Sequence, residues 1–187
     1  MIAAIMIAVP SLLNLYNGHT GRLLIANKEL NSDKFFSQTV IYIFDHSFWG
    51  AKGIVINKPM LTKEPNKFGI THENAILFNG GPVAFPSLKT VALNRPKTAS
   101  RWGVQPLTVV DYKGFEKRFP SYDDKNIPLN VYIGYAGWDV GQLENEIQRG
   151  LWTVLECNIN DIDPAVTKIG LWEHFRKKDK KNLCPKK

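Results

Sequence analysis

Residues 134–144, with the sequence GYAGWDVGQLE, form the stretch around which the predicted fold is organised. The apolar run LNVYI that precedes them has the composition of a buried strand, and the residues that follow have that of a short helix ended by Gly150. We expect Asp139 to cap this helix, with Gln142 completing a capping box. Because glycines between a strand and a helix let backbone approach a ligand closely, this turn is the leading candidate for a binding site.

Short runs of β-branched, aromatic and aliphatic residues elsewhere in the chain predict further strands. The predicted strands lie at residues 22–26, 39–44, 53–57, 75–78, 87–94, 107–112, 129–133 and 151–157. The run TVIYIF at 39–44 consists of β-branched and aromatic residues throughout, as in a central strand covered on both faces. The short loop after it predicts an antiparallel hairpin with the next strand. Predicted helices are few and late, one of them starting at Asp163-Pro164, so we predict an α+β fold with a largely antiparallel sheet.

The chain has 187 residues, of which 44% are hydrophobic, and this is enough for one sizeable core. We predict an apolar extension at 1–20, a single domain at 21–175 and a basic tail at 176–187. From residue 173 onward, seven basic and two acidic residues carry +5 of the net charge of +7. The near-neutral remainder indicates a nucleic-acid partner only weakly. An unknown protein or small molecule is the favoured partner.

The apolar segment at residues 1–16 leaves three interpretations open: an extension packed on the body, a start codon placed too far upstream, or an uncleaved membrane or interface anchor. Because a membrane span needs about 20 apolar residues, we predict none here. Cys157 and Cys184 are interpreted as free thiols, which suit a reducing cytoplasm.

Asp45-His46 invites a catalytic interpretation, because a histidine beside an acid at a strand end can act as a general base. No nucleophile motif accompanies the pair, and the alternative is that both side chains hold the hairpin loop through backbone hydrogen bonds. The four histidines, His19, His46, His72 and His174, lack metal-ligand spacing. We therefore predict no catalytic set, no metal site and no cofactor.

Several segments, taken together and in order, resemble the YqgE/AlgH family of bacterial proteins. They are residues 23–26, 36–43 with Asp45 and His46, 50–59, 78–83, and 134–144 with Glu146 and Trp152. The resemblance implies an α+β fold with a bifurcated, partly barrel-like sheet flanked by helices. It also implies a cytosolic protein of undetermined biochemical function, in some cases labelled a transcriptional regulator.

The sequence departs from the family pattern at a few positions. Asn27 stands where the family usually has proline, and Asp139 stands where a glycine usually follows the tryptophan. Phe44, Phe48 and Trp49 make the predicted hairpin unusually aromatic.

Two functional hypotheses follow. The preferred one is a non-enzymatic binding or regulatory protein that uses a surface formed by the His46 loop, the Gly80 turn and the Trp138 turn. The alternative is an enzyme acting on a small polar substrate, with His46 as the base and Glu144 as its acid partner. The candidate surface residues are Asp45, His46, Asn57, Gly80, Gly81, Pro82, Tyr135, Gly137, Trp138, Gly141, Gln142 and Glu144.

Overall fold

A computed structural model describes residues 18–61, 65–72, 75–85, 87–93, 108–118, 129–156 and 170–177. Outside these ranges lie both cysteines, the apolar segment at 1–16, the predicted helix start at residue 164 and the tail from residue 178. Of the helices that the structure describes, none has the length and apolar character that crossing a membrane requires.

Nine strands, numbered in chain order, form two sheets within the described residues. The first sheet contains β1 (Leu23–Ala26), β2 (Val40–Ser47), β3 (Gly50–Val55), β8 (Ala136–Trp138) and β9 (Trp152–Leu155). Its spatial order is β8-β3-β2-β1-β9, and every neighbouring pair is antiparallel. The second sheet contains β4 (Ala75–Asn79), β5 (Lys89–Leu93), β6 (Thr108–Asp111) and β7 (Leu129–Ile133). Its order is β4-β7-β5-β6, with β4 and β7 parallel and the other pairs antiparallel.

Three α-helices and two 3-10 helices complete the described structure. The α-helices are α1 (Tyr112–Arg118), α2 (Gln142–Gln148) and α3 (Leu171–Lys177), and the 3-10 helices span Lys28–Leu30 and Pro65–Phe68. The predicted α+β class with a largely antiparallel sheet is confirmed. Four features were not predicted: α1, the three-residue strand β8, the 3-10 helix at Lys28–Leu30 and the parallel pairing of β4 with β7.

The first sheet is buried on both faces, as the apolar run of its central strand predicts. In β2, Tyr42 packs on one face with Phe78 and Tyr132 of the second sheet, together with α3. Its neighbours Ile41 and Ile43 pack on the opposite face with Trp138, Trp152 and α2. Successive side chains of a strand point to opposite faces, and an uninterrupted apolar run therefore feeds two separate clusters.

The two sheets meet at Gly80. Its carbonyl oxygen accepts a hydrogen bond from the amide of Val55 in β3 at 2.9 Å, and its own amide donates to Ile133 O in β7 at 2.8 Å. The chain passes from the second sheet into the first at Gly134-Tyr135, directly beside this point. The stretch at 134–144 is therefore the segment through which β7 of one sheet continues into β8 of the other.

Candidate functional site

A β-bulge in β2 decides which polar side chain faces α2. The register of β2 with β3 shifts between Ile43 and Asp45, so that His46 lies opposite Ala51. Ala51 belongs to the cluster beneath α2, and His46 is buried on that same face. Asp45 is exposed, with its carboxylate 3.5 Å from the ammonium of Lys52. Neighbouring strand residues point to opposite faces, and the bulge thus decides that His46, not Asp45, is the one that faces α2.

His46 is bonded at both ring nitrogens. Its Nε2 lies 2.9 Å from Oε1 of Glu144 in α2, and its Nδ1 accepts the backbone amide of His19 at 3.2 Å. Since a backbone amide can only donate, Nδ1 carries no proton and the ring proton lies on Nε2, directed at the carboxylate. The ring of His19 stacks on that of His46, with the centroids 5.3 Å apart.

Burial and nearby charge favour the neutral form of the His19 imidazole. Burial is the largest cause that lowers the pKa of the His19 imidazole, and His46 and Arg22 lower it further, while Glu144 opposes them. A guanidinium nitrogen of Arg22 lies 3.4 Å from His19 Nδ1, and the guanidinium also pairs with Glu156 at 3.0 Å. Because a guanidinium only donates, Nδ1 of His19 is the acceptor.

His19, His46 and Glu144 bring three possible metal-ligand atoms within 4.8 Å of one another. The sequence spacing gave no sign of this cluster, because the three residues come from distant segments. A metal on Nε2 of His46 would require a proton on Nδ1, where the amide of His19 already points. The guanidinium of Arg22 also places a positive charge beside the cluster. The bonds around the histidine pair therefore favour a metal-free arrangement.

The same geometry bears on the catalytic hypothesis. His46 and Glu144 do converge, as an acid–base pair would require. However, a general base needs a free lone pair directed at substrate, and the one lone pair of His46 is occupied. Ser47, the neighbouring hydroxyl, accepts the amide of Trp49 instead. The pair joins the hairpin to α2, and the basic nitrogen of His46 is not available to a substrate.

Asn57 does not join this group. Its Oδ1 accepts the amide of Val40 at 2.8 Å and its Nδ2 donates to the carbonyl of Gln38 at 2.9 Å. The buried amide therefore fixes the turn that leads into β2. Gln38 has a positive φ of 55°, a conformation that this bond helps to hold.

The glycine turn at Gly80-Gly81-Pro82 packs against Gly134 and Tyr135. The backbones of Val83 and Tyr135 exchange two hydrogen bonds, of 2.9 and 3.1 Å. A Cβ atom at Gly81 would overlap the backbone of Tyr135, and one at Gly80 would overlap the carbonyl of Gly134. The two glycine-bearing bends thus require glycine where they meet, for close packing of backbone on backbone.

Trp138 points away from this junction. Its indole packs edge-on against Trp152, and both indole N–H groups donate to Oε2 of Glu146 at 2.8 Å. Oε1 of Glu146 accepts the side-chain amide of Gln142 at 2.9 Å. Trp138 is buried, so this ring belongs to the core rather than to an open surface.

The predicted capping box is wrong in one half. Gln142 Oε1 does accept the amide of Asp139 at 3.0 Å, as the box requires. The Asp139 side chain does not cap, because the N-cap residue is Gly141, with φ of 71° and no side-chain bond. The left-handed glycine turns the chain before α2 starts, and this moves the helix start past the reach of Asp139. Gly150 ends the helix at φ 79°, as predicted.

A pocket of about 100 Å3 opens beside the glycine turn. Lys34, Phe35, Lys58, Asn79 and Gly81 line it, together with Phe36 and Val55. Of the predicted residues only Gly81 belongs to it. No role was predicted for Lys58. In the sequence, this lysine is marked only by its position between the strand predicted at 53–57 and Pro59.

The comparison with known families bears on the whole described domain. A family model described as AlgH-like matches residues 23–179. The chain belongs to the AlgH-like family. The resemblance inferred from the motifs is thereby confirmed, and the match includes the glycine turn, His46 and the 134–144 stretch.

Relatives and solved structures agree with this assignment. A UPF0301 protein from Mycolicibacterium smegmatis is 32% identical over 162 residues, covering 81% of this chain and 78% of its own. A UPF0301 protein from Mycobacterium avium is 33% identical over 150 residues, covering 76% and 74%. The AlgH protein from Pseudomonas aeruginosa, a solution structure, is 25% identical with a TM-score of 0.55 and covers 79% of each chain. Protein DIP2367 from Corynebacterium diphtheriae, at 22% identity and a TM-score of 0.53 over 73% and 74%, shares the fold. These names give no reaction, ligand or partner.

Proposed function

We propose that this AlgH-like protein is a non-enzymatic binding protein with a regulatory role in the cytoplasm. Its contact surface is the glycine-turn face, which we define as Phe35, Gly81, Val83, Tyr135 and Gly137. The observation that carries the proposal is a contrast in exposure between two groups of residues. His46, the residue that could act as a base, is bonded inside the fold, whereas Phe35, Val83 and Gly137 of the glycine-turn face are exposed.

The glycine-turn face combines exposed apolar side chains with the exposed backbone of Gly137. Phe35 is 52% exposed and Val83 is 38% exposed, both high for large apolar residues. A Cβ at Gly137 would lie 3.2 Å from the ring of Tyr135 and 3.7 Å from Val83, so the three positions are adjacent. Exposed apolar groups around a concavity are typical of a recognition surface.

The enzymatic alternative is less well supported by the same contacts. It needs His46 as a base, yet both ring nitrogens are bonded and the residue is only 6% exposed. It also needs a third polar group beside the pair, and Asn57 is committed to the backbone of Gln38 and Val40. In its more specific form, the proposal is that this binding protein regulates transcription. The near-neutral charge of residues 1–172 favours action through a protein or small molecule over direct contact with DNA.

The test is affinity capture from a lysate of the native host with three baits. These are the wild-type chain, Val83→Asp on the glycine-turn face, and Val140→Asp, which makes the same change at an exposed valine before α2. We expect a partner that the wild type and Val140→Asp retain and that Val83→Asp loses, because a buried interfacial carboxylate is strongly unfavourable.

Matching unfolding transitions for the three baits are required before the comparison. The same partners on all three would remove the glycine-turn face from the proposal. Turnover of a small polar substrate that is abolished by His46→Gln would replace the proposal with the enzymatic alternative.

A further inference from the structure

The pocket beside the glycine turn contains two lysines without a carboxylate partner among the described residues. Lys34 and Lys58 both line it. The ion pairs found in the described part of the chain involve other residues: Arg22 with Glu156, Lys52 with Asp45, Lys177 with Glu173, and His46 with Glu144. Asp33, the acid next in sequence to Lys34, uses its Oδ1 to accept the amides of Phe35 and Phe36.

Lys58 is held in a partly desolvated position by its own backbone. Its carbonyl accepts the amide of Asn79 at 2.9 Å, which fixes the segment after β3 against β4. Burial lowers the pKa of the Lys58 ammonium. A cation that loses water without gaining a counter-charge is unfavourable, and an anion bound beside it would reverse that cost.

The other residues of the pocket supply a neutral hydrogen-bond donor and an apolar surface. The amide of Gly81 donates to Oδ1 of Asn79 at 3.2 Å, so the NH2 end of that side chain is the end available to a ligand. Phe35 at the rim exposes about half of its surface. An ammonium pair, an amide NH2 group and an aromatic rim match an oxyanion attached to an apolar body.

Pocket volume limits the ligand group that can enter. Pockets for whole small molecules are about 300–1,000 Å3, and this one is about 100 Å3. Only a compact group can therefore lie inside, with the rest of the molecule outside against Phe35. Two ammonium groups also favour a doubly charged group over a singly charged one.

We propose that the pocket formed by Lys34, Lys58, Asn79 and Gly81 binds the phosphate group of a small organic phosphate whose apolar part rests on Phe35. This inference rests on the proposed binding function and names the ligand class of the same face. The site differs from a phosphate site at a helix end, because side-chain ammonium groups and an amide provide the donors.

The experiment is a titration of the 15N-labelled chain, followed by the amide signals of Asn79 and Gly81, with three probes. Phenyl phosphate is expected to give saturable shifts and to bind more tightly than inorganic phosphate, since only it can reach Phe35. Acetate, with one charge, is expected to bind more weakly than either. Added salt should weaken all three.

Variants locate the site. Lys58→Met keeps the length of the side chain and should weaken phenyl phosphate by about tenfold or more, as expected for the loss of a hydrogen bond to a charged group. Lys34→Met is a second variant at the rim. Lys113→Met, on the exposed surface of α1, is the matched control and should bind like the wild type.

Non-saturating shifts, or an equal loss in the Lys58 and Lys113 variants, would show a general response to positive charge and overturn the inference. Tighter binding of acetate than of phosphate would overturn the ligand class. If phosphate fails while the lysate partner still distinguishes Val83→Asp from Val140→Asp, the binding function survives without this ligand. If no lysate partner distinguishes the baits but phosphate binds, the ligand inference holds and the proposed contact surface is wrong.

Discussion

The Nε2 atom of His46 lies 2.9 Å from Oε1 of Glu144, and this contact joins the β2–β3 hairpin to α2. With Nδ1 accepting the amide of His19, the ring proton is confined to one nitrogen. The bond is thus oriented from both sides, which is an arrangement suited to positioning two elements rather than to transferring a proton.

The first prediction concerns this bond. Glu144→Gln preserves an acceptor but removes its charge, so we expect the free energy of unfolding to fall by about 0.5–1 kcal/mol. Asn145→Ala, on the exposed side of the same helix, should change it by less than about 0.5 kcal/mol. Ring 15N shifts of the wild type should show the proton of His46 on Nε2. A proton on Nδ1 would contradict the assignment.

The second prediction is a loss of stability in acid through His19. Burial lowers the pKa of this imidazole below its ordinary value of about 6.5. Between this lowered pKa and about pH 6.5, the folded state therefore binds fewer protons than the unfolded state. The stabilisation is fully present above pH 6.5 and is lost as pH falls through the lowered pKa of the folded state.

Denaturant unfolding measured between pH 7.5 and 5 checks the second prediction. His19→Gln should flatten the decrease in stability below pH 6.5. The same change at His174 in α3 shows whether the effect belongs to position 19. An unaltered pH dependence in His19→Gln would mean that another group is responsible.

The third prediction concerns Glu146, whose carboxylate accepts both indole N–H groups of Trp138 and Trp152. Glu146→Leu leaves two buried donors without an acceptor, at roughly 1–3 kcal/mol each. We expect the free energy of unfolding, measured by tryptophan fluorescence in denaturant, to fall by about 2–6 kcal/mol. Glu173→Leu removes an acid from an exposed pair with Lys177 and should cost less than about 1 kcal/mol. Comparable losses in the two variants would refute the bonding role.

The fourth prediction separates backbone conformation from close packing at the glycine turn. Gly150→Ala places a side chain at φ 79° in open space and should cost about 1 kcal/mol. Gly81→Ala has φ of 148° and in addition forces a Cβ atom into the backbone of Tyr135. We expect a loss larger by at least about 1–2 kcal/mol in thermal or urea unfolding. Equal losses would show that contact with Tyr135 contributes nothing.

The local sequence pattern was sufficient to predict the strands that consist of continuous runs of strand-forming residues. The apolar runs at residues 39–44 and 129–133 became β2 and β7, and the hairpin between β2 and β3 followed from its short loop. Partners distant in sequence were not predictable. Nothing within Ala75–Asn79 indicates that its neighbour is β7 in parallel, since register depends on contacts made only after folding.

The candidate site divides in the same way. Glu144 could be named as the partner of His46 because a helix was expected directly after the glycine stretch. The bulge at Phe44, which decides that His46 rather than Asp45 faces that helix, has no signal in an apolar run. Lys58 went unnoticed because a pocket is a property of several segments at once.

The position of β1 between β2 and β9 has a consequence for synthesis on the ribosome. Leu23 pairs with Leu155, so one edge of β1 stays without a neighbour until β9 has been made. At translation rates of about 5–20 residues per second, that interval is on the order of 10 s. During it, the nascent chain presents a bare, wholly aliphatic strand edge, the kind of surface that chaperones shield from neighbouring polysomes.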